Sequence, residues 1–306
     1  MMSILLNYFH LLRPSQWYKN LLVPVVGIFA IDVYDFMVYV LLALGFLAAC
    51  GIAGTSYIIN DIVDIESDRI HPEKKTRLIA AGKISKRSAA IFAVIILITS
   101  LGGSFILNIW FGFVMLTFFG IGQLYSFVLK KIAFVDILTI SINFIIRGLG
   151  GLVLIISVPG VIFKAGEFPT LWAIWAVFIF ALFLALSKRK VDLQLIEKGE
   201  AKNHKEVYDK YEKQFLDHLV IMIALCLLLG YYLFVIFNDT SGGFLMLTVP
   251  VATYLMFRYL YLLFSADKHM GTPDKAIKDK GILIGSLVVL LLFLLVRYLD
   301  LYFNLI

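Results

Sequence analysis

The chain has 306 residues, 61% of them hydrophobic and only 16% charged, with a formal net charge of +6. Too little polar surface is present to dissolve such a chain as a globule, so lipid is its solvent and a soluble enzyme is excluded. The basic residues flank apolar runs, where bilayer orientation and anionic headgroups account for them, and nucleic acid is excluded as a partner.

A membrane-spanning helix needs roughly 20 mostly apolar residues. On that measure the sequence predicts an all-α membrane protein of about nine transmembrane helices, near 16–33, 36–60, 88–107, 110–129, 134–157, 169–187, 216–238, 244–264 and 281–301. The first holds Pro24, and the fifth is interrupted by Gly148, Gly150 and Gly151, features that neighbouring helices tolerate. The connections near 61–87, 130–133, 188–215 and 265–280 are basic, whereas those near 34, 108, 158–168 and 239–243 hold only Lys164. Placing the basic loops inside puts the N-terminus in the cytoplasm and the C-terminus outside, in a multi-pass protein of the plasma or inner membrane. The reading is of one helical domain over 1–306, its active-site mouth on the cytoplasmic side. The first 20 residues, interrupted by Arg13, Pro14 and Lys19, carry no signal-peptide pattern. Cys50 and Cys226 lie in unrelated apolar runs, which supports neither a disulfide framework nor a thiolate metal site.

The strongest chemical signal is Asn60-Asp61-Ile62-Val63-Asp64-Ile65-Glu66-Ser67-Asp68-Arg69 at the end of the second segment. At about 100° per residue, Asp61, Asp64 and Asp68 fall within an arc of about 60°, and Glu66 points away. Three carboxylates on one stripe repel one another unless a cation sits among them. Hard oxygen ligands suit Mg²⁺, which binds a few carboxylates and completes its shell with water and phosphate oxygens. A solvated acidic helix end is the structural alternative. The basic turn that follows, His71-Pro72-Glu73-Lys74-Lys75-Thr76-Arg77 to Lys83, is placed to neutralise phosphate charge, or else simply flanks the membrane.

Arg147 lies mid-segment among Phe144, Ile145, Ile146 and Leu149. A guanidinium there is costly in lipid, so it is expected to face the interior and pair with a carboxylate, for which Asp136 is a candidate, or with a bound anion. Tyr125, Ser126 and Lys130 end the preceding segment, and Ser187-Lys188-Arg189-Lys190-Val191-Asp192 ends the sixth. Both groups also fit an ordinary cytoplasmic flank.

On these residues the chain resembles the UbiA superfamily of intramembrane prenyltransferases, and within it the polyprenyl-phosphate (decaprenyl-type) phosphoribosyltransferase branch. The resemblance runs over nearly the whole chain. It rests on Arg13-Pro14-Ser15-Gln16-Trp17-Tyr18-Lys19-Asn20, on Asn60-Asp61 to Arg69 with His71-Pro72 and Ile79-Ala80-Ala81-Gly82, on Tyr125-Ser126 with Lys130, on Arg147 beside its glycines, on Lys188-Arg189 and on Gly271-Thr272-Pro273. One departure bears on the branch: where the wider superfamily carries a second aspartate-rich motif, this chain reads Lys188-Arg189-Lys190-Val191-Asp192.

The resemblance implies transfer of a 5-phosphoribosyl group from phosphoribosyl pyrophosphate to a polyprenyl monophosphate, with release of pyrophosphate. It implies Mg²⁺ as cofactor, held by Asp61, Asp64 and Asp68 as the catalytic centre. Lys19, Arg77, Lys83, Lys130, Arg147, Lys188 and Arg189 would bind phosphates, and Asn60 and Tyr125 would position ribose. The partners are then the two substrates and the bilayer, and a homo-oligomer is compatible with the reading. The alternative within the superfamily is prenyl transfer from a prenyl diphosphate to an aromatic or lipid acceptor. A transporter lined by Arg147, Asp136 and Arg258 is the alternative from another class, disfavoured by the gathering of charge at one face and by the lack of visible repeats.

Overall fold

The computed structural model describes residues 2–29, 36–70, 74–156, 158, 169–197, 208–237, 243–265, 276 and 278–303, and among them helix is the only regular structure. Eleven α-helices follow one another among the described residues: α1 (Met2–Leu11), α2 (Leu22–Phe29), α3 (Phe36–Val63), α4 (Ile65–Ile70), α5 (Lys86–Leu107), α6 (Ile109–Phe127), α7 (Val135–Ile156), α8 (Pro169–Glu197), α9 (Lys213–Phe237), α10 (Val249–Phe264) and α11 (Lys280–Phe303). Six stretches among the described residues are long and apolar enough to cross a membrane: α3, α5, α6, α7, α9 and 244–264, the last being α10 with the 3₁₀ turn Phe244–Thr248 that leads into it. The chain is an integral membrane protein.

The structure shifts two of the expected boundaries. The first segment was expected to be helical from 16, yet Pro14–Leu21 is a 3₁₀ helix and α2 starts only at Leu22. Proline accounts for this: starting at Leu22 puts Pro24 in the first turn of α2, where its missing N–H costs nothing. The sixth apolar segment was expected to close at 187 with a helical polar stretch beyond it, and α8 runs on to Glu197, carrying Lys188–Asp192 as helix with Arg189 and Lys190 buried.

Two compact units divide the chain, Met1–Val177 and Phe178–Ile306. In the first, α3 packs on α5, α2 and α7, and α6 packs between α5 and α7. Its core joins Val23 of α2, Ala48, Ala49, Ile52 and Ala53 of α3, Phe111, Met115 and Phe118 of α6, and Ile146 and Leu154 of α7. Small residues on α3 and α7 let the backbones approach, most closely at Gly151, where a Cβ would lie 1.9 Å from the carbonyl oxygen of Val23. Asn108 ends α5 and caps α6, its side chain accepting from the Phe111 N–H at 2.9 Å, so two spanning helices reverse across a single residue. In the second unit α10 packs on α9 and α11.

Candidate active site

The site in the first unit is built where α3 ends. The helix bends at Asp64 without losing its ladder: the Asp64 N–H donates to the Asn60 carbonyl at 2.9 Å, and the Asp68 N–H to the Asp64 carbonyl at 2.8 Å. Asp61 and Asp68 both turn inward, with side chains only 7% and 2% exposed. Asp64 is half-buried and has no side-chain hydrogen bond or ion pair among the described residues, and Glu66 points to solvent and pairs with Arg69.

Two arginines hold the buried carboxylates. One guanidinium nitrogen of Arg77 donates to Asp61 Oδ1 at 2.9 Å and to Asp68 Oδ2 at 2.7 Å, and Arg13 donates to the same Asp61 Oδ1 at 2.6 Å. Arg77 reaches them because its loop is anchored: Ile79 and Ile84, 2% and 6% exposed, pack with Leu11, Ile58, Ala89 and Ala93. Burying each isoleucine contributes about 2 kcal/mol. Gly82 closes the loop at φ +72°, where a β-carbon would be strained. Arg13 also sits in the left-handed region, at φ 51° and ψ 63° directly before Pro14, a conformation that costs about 1–2 kcal/mol. Its reward is the bond to Asp61 and a place over the Tyr57 ring, 4.9 Å from the centroid.

The remaining oxygens, Asp61 Oδ2 and Asp68 Oδ1, accept no hydrogen bond among the described residues. Two buried carboxylates with one open oxygen each fit Mg²⁺, which commonly takes one or two protein carboxylates and completes its shell with substrate phosphates and water. Three acidic, imidazole or thiol groups do not converge on one metal position among the described residues.

Deeper in the bundle, Arg147 of α7 is buried and makes no hydrogen bond or salt bridge among the described residues. Its guanidinium lies 4.6 Å from the Phe118 centroid and 5.0 Å from that of Phe144. Asp136 is not its partner, because eleven residues separate them along one helix, roughly 16 Å. The expectation that Arg147 faces the interior holds, and the expected carboxylate is absent among the described residues.

The other predicted residues take varied places. Lys83 is exposed and Lys130 half-exposed, and neither makes a hydrogen bond or ion pair among the described residues. Lys19 lies 5.8 Å from the Tyr18 ring, and Asn60 and Tyr125 are half-buried. His71-Pro72-Glu73 and Gly271-Thr272-Pro273 lie outside the described residues.

In the second unit Lys188 is exposed, while Arg189 and Lys190 are buried and already engaged. Arg189 donates to the Tyr208 hydroxyl at 3.1 Å, and that hydroxyl donates to Asp192 Oδ2 at 2.7 Å. Burial first, and then the Asp192 charge, push the Tyr208 hydroxyl well above the ordinary phenol range. Lys190 pairs with Asp217 and lies 3.9 Å from the Phe264 ring centroid.

Sequence reasoning singled out Arg13 and Asn20 but missed Arg13 as a partner of Asp61, and it missed Gln123 on α6 and Asn143 on α7, half-buried amides whose oxygens are buried. The available signal for those two was a neutral amide inside an otherwise apolar span.

The fold is shared with solved structures. A UbiA homolog from Archaeoglobus fulgidus bound to GPP and Mg²⁺ superposes with a TM-score of 0.68 at 20% identity, over 95% of this chain and 99% of the other. Helices, apolar spans and a charged cluster at a helix end together define a multi-pass helical membrane protein. The sequence profile of the UbiA prenyltransferase family matches residues 21–278, and the chain belongs to that family. Among its relatives, the decaprenyl-phosphate phosphoribosyltransferase of Mycolicibacterium smegmatis is 30% identical over 88% of this chain and 85% of its own length. The protein of that name from Corynebacterium glutamicum is 28% identical over 90% of this chain and 82% of its own length.

Proposed function

We propose that the protein transfers a 5-phosphoribosyl group from phosphoribosyl pyrophosphate to a polyprenyl monophosphate in a Mg²⁺-dependent reaction. The observation that carries this reading is similarity over most of the chain to relatives named for phosphoribosyl transfer to decaprenyl phosphate. The basic Lys188-Arg189-Lys190 run supports it, standing where other family members carry a second acidic motif.

In this reaction a phosphate oxygen of the lipid attacks the anomeric carbon of the ribose. The new C–O bond forms as the bond to pyrophosphate breaks, and pyrophosphate leaves with the electron pair. When bound, Mg²⁺ supplies neutralisation of the leaving group's charge. Asp61, Asp64 and Asp68 would hold it, Asp61 and Asp68 through their open oxygens and Asp64 from its half-buried place on the same stripe. The Arg13 and Arg77 side chains are 29% and 28% exposed while the carboxylates beneath them are buried, so the guanidiniums are the face that meets pyrophosphate oxygens. Lys83 and Lys130 add positive charge in the first unit, where Lys19, Asn60, Tyr125 and Arg147 are the further substrate-binding residues of this reading, and Lys188 and Arg189 are its phosphate-binding residues in the second. The attacking phosphate is already ionised and needs no general base, which leaves electrostatic stabilisation as the main catalytic term.

The same reading places nine crossings in the plasma membrane, one domain over the whole chain, the N-terminus and site mouth in the cytoplasm and the C-terminus outside.

A donor-choice assay tests the function. Purified protein in detergent with Mg²⁺ is offered labelled phosphoribosyl pyrophosphate plus a polyprenyl monophosphate, and separately a prenyl diphosphate plus aromatic acceptors. Chelator-sensitive passage of ribosyl label into the lipid phase is the expected result. Prenyl transfer alone would overturn the reading in favour of an ordinary prenyltransferase.

A further inference from the structure

Among the described residues of the first unit, four buried side-chain polar atoms lack partners: Asn20 Oδ1, Gln123 Oε1, Asn143 Oδ1 and Arg147 Nε. In each amide the NH₂ group is committed and the oxygen is left over. Asn20 Nδ2 donates to Cys50 Sγ at 3.2 Å, Gln123 Nε2 to Ser56 Oγ at 2.9 Å, and Asn143 Nδ2 to the Thr139 carbonyl at 3.2 Å.

The four residues lie along one track. Asn143 and Arg147 are one turn apart on α7 and share a face. Phe118 of α6 stacks on Arg147, and since α6 and α7 are consecutive and antiparallel, Gln123 lies about level with Asn143. Gln123 bonds Ser56 of α3, the neighbour of Tyr57, and Tyr57 is one turn below Asp61 and under the Arg13 guanidinium. Cys50, which accepts from Asn20, lies on the same face of α3 two turns before Tyr57. The track therefore begins about one helical turn beneath the aspartates and runs inward.

We propose that Asn20, Gln123, Asn143 and Arg147 form the seat for the hydroxyl-bearing sugar phosphate of the donor, and that this seat selects against a prenyl diphosphate. The inference rests on the phosphoribosyl reading and names how the site recognises that substrate. Its basis is complementarity of hydrogen-bond type. An amide oxygen only accepts, so three unpaired ones call for a ligand with several donors, and ribose hydroxyls are such donors. The unpaired guanidinium calls for an anionic oxygen, which the sugar phosphate carries. A prenyl chain has neither, and an ionised diphosphate offers acceptors alone, which the amide oxygens repel. A site built for hydroxyls rejects a ligand lacking them, because the buried polar atoms stay unmet.

The test uses the full chain in detergent with Mg²⁺ and measures direct binding of labelled phosphoribosyl pyrophosphate, ribose 5-phosphate and geranyl diphosphate. The variants are Asn143→Leu, Gln123→Met and the double substitution. The double variant is expected to weaken both ribose ligands at least tenfold, to leave geranyl diphosphate binding unchanged or tighter, and to unfold at or above the wild-type temperature, since two orphaned oxygens are gone. Unchanged binding of the ribose ligands, or equal weakening of all three, overturns the seat. Should the double variant fail to fold, the half-buried Asn143→Leu alone carries the same comparison. Wild type that transfers ribosyl label while the variants bind it normally sinks the seat and spares the function. Wild type that never transfers it, yet binds ribose 5-phosphate through these amides, does the reverse.

Discussion

Asp61 Oδ1 accepts from two guanidiniums and Asp68 shares one of them, so Arg77 is the residue on which both buried charges depend. Arg77→Gln removes two charge-assisted hydrogen bonds and is expected to destabilise the first unit by about 2–3 kcal/mol. Arg77→Lys keeps the charge and, since one Arg77 nitrogen makes both bonds, a single ammonium should recover part of that loss. Thermal unfolding of the two variants in detergent checks this, and equal midpoints for both and wild type would remove the bridge from the stability account. Asp61→Asn or Asp68→Asn is expected to abolish turnover in a folded, inserted protein, and full activity in either would remove the metal-site assignment.

A pH effect belongs to another ion pair. Arg258 donates to Asp279 through two nitrogens at 2.9 and 3.2 Å, and this holds the Asp279 carboxyl below the usual carboxylate range. A depressed folded pKa contributes stability above the unfolded value, about pH 4, and that contribution is lost as pH falls through the folded value. The unfolding midpoint of Asp279→Asn should lie below wild type at pH 7, and the gap should close on acidification below about pH 4. A gap that persists unchanged at pH 3 would show that the charge on Asp279 is not its source.

Helix contacts in lipid are made by close backbone approach, and α2 against α7 is the tightest case. Gly151→Ala drives a methyl into the Val23 carbonyl, which no rotamer change relieves, and should cost about 1–3 kcal/mol. Gly120→Ala on α6 meets open space and should be neutral or slightly stabilising through helix propensity. Unfolding midpoints compared in one detergent separate them; a Gly151→Ala protein as stable as Gly120→Ala would mean that α2 and α7 are free to part.

The same helices explain what the sequence could and could not disclose. Apolar runs marked α3, α5, α6, α7 and α9 to within a few residues, because lipid demands length and hydrophobicity of every span. Asp61 and Asp68 were legible as one face because turn spacing survives the bend at Asp64. Arg13 was not legible as their partner, since its reach depends on a left-handed backbone before Pro14 that no periodicity encodes. Nor could spacing reveal Tyr208 and Asp217 as partners of Arg189 and Lys190, because those contacts join elements distant in sequence, whereas Arg189 and Asp192 are an i,i+3 pair on α8 that spacing does allow.

The orientation proposed for the whole molecule rests on charge asymmetry. In the first unit Lys86 begins α5 beside the aspartate loop and Ile109 begins α6 at the opposite end of the span, with 22 residues of α5 nearly filling the distance between them. A helix of that length rises about 33 Å, enough to cross the hydrocarbon, so the two residues must lie on opposite sides of the bilayer. With the basic ends inside, a cysteine at Ile109 should react with a membrane-impermeant maleimide added to intact cells, and one at Lys86 only after the membrane is opened. Both positions are exposed, so neither substitution disturbs the core, and native Cys50 and Cys226 sit within spans. The reverse labelling pattern would turn the molecule over and put the buried aspartates at the outer face. A cytoplasmic supply of phosphoribosyl pyrophosphate could then not reach them, and the proposed donor would fall with the topology.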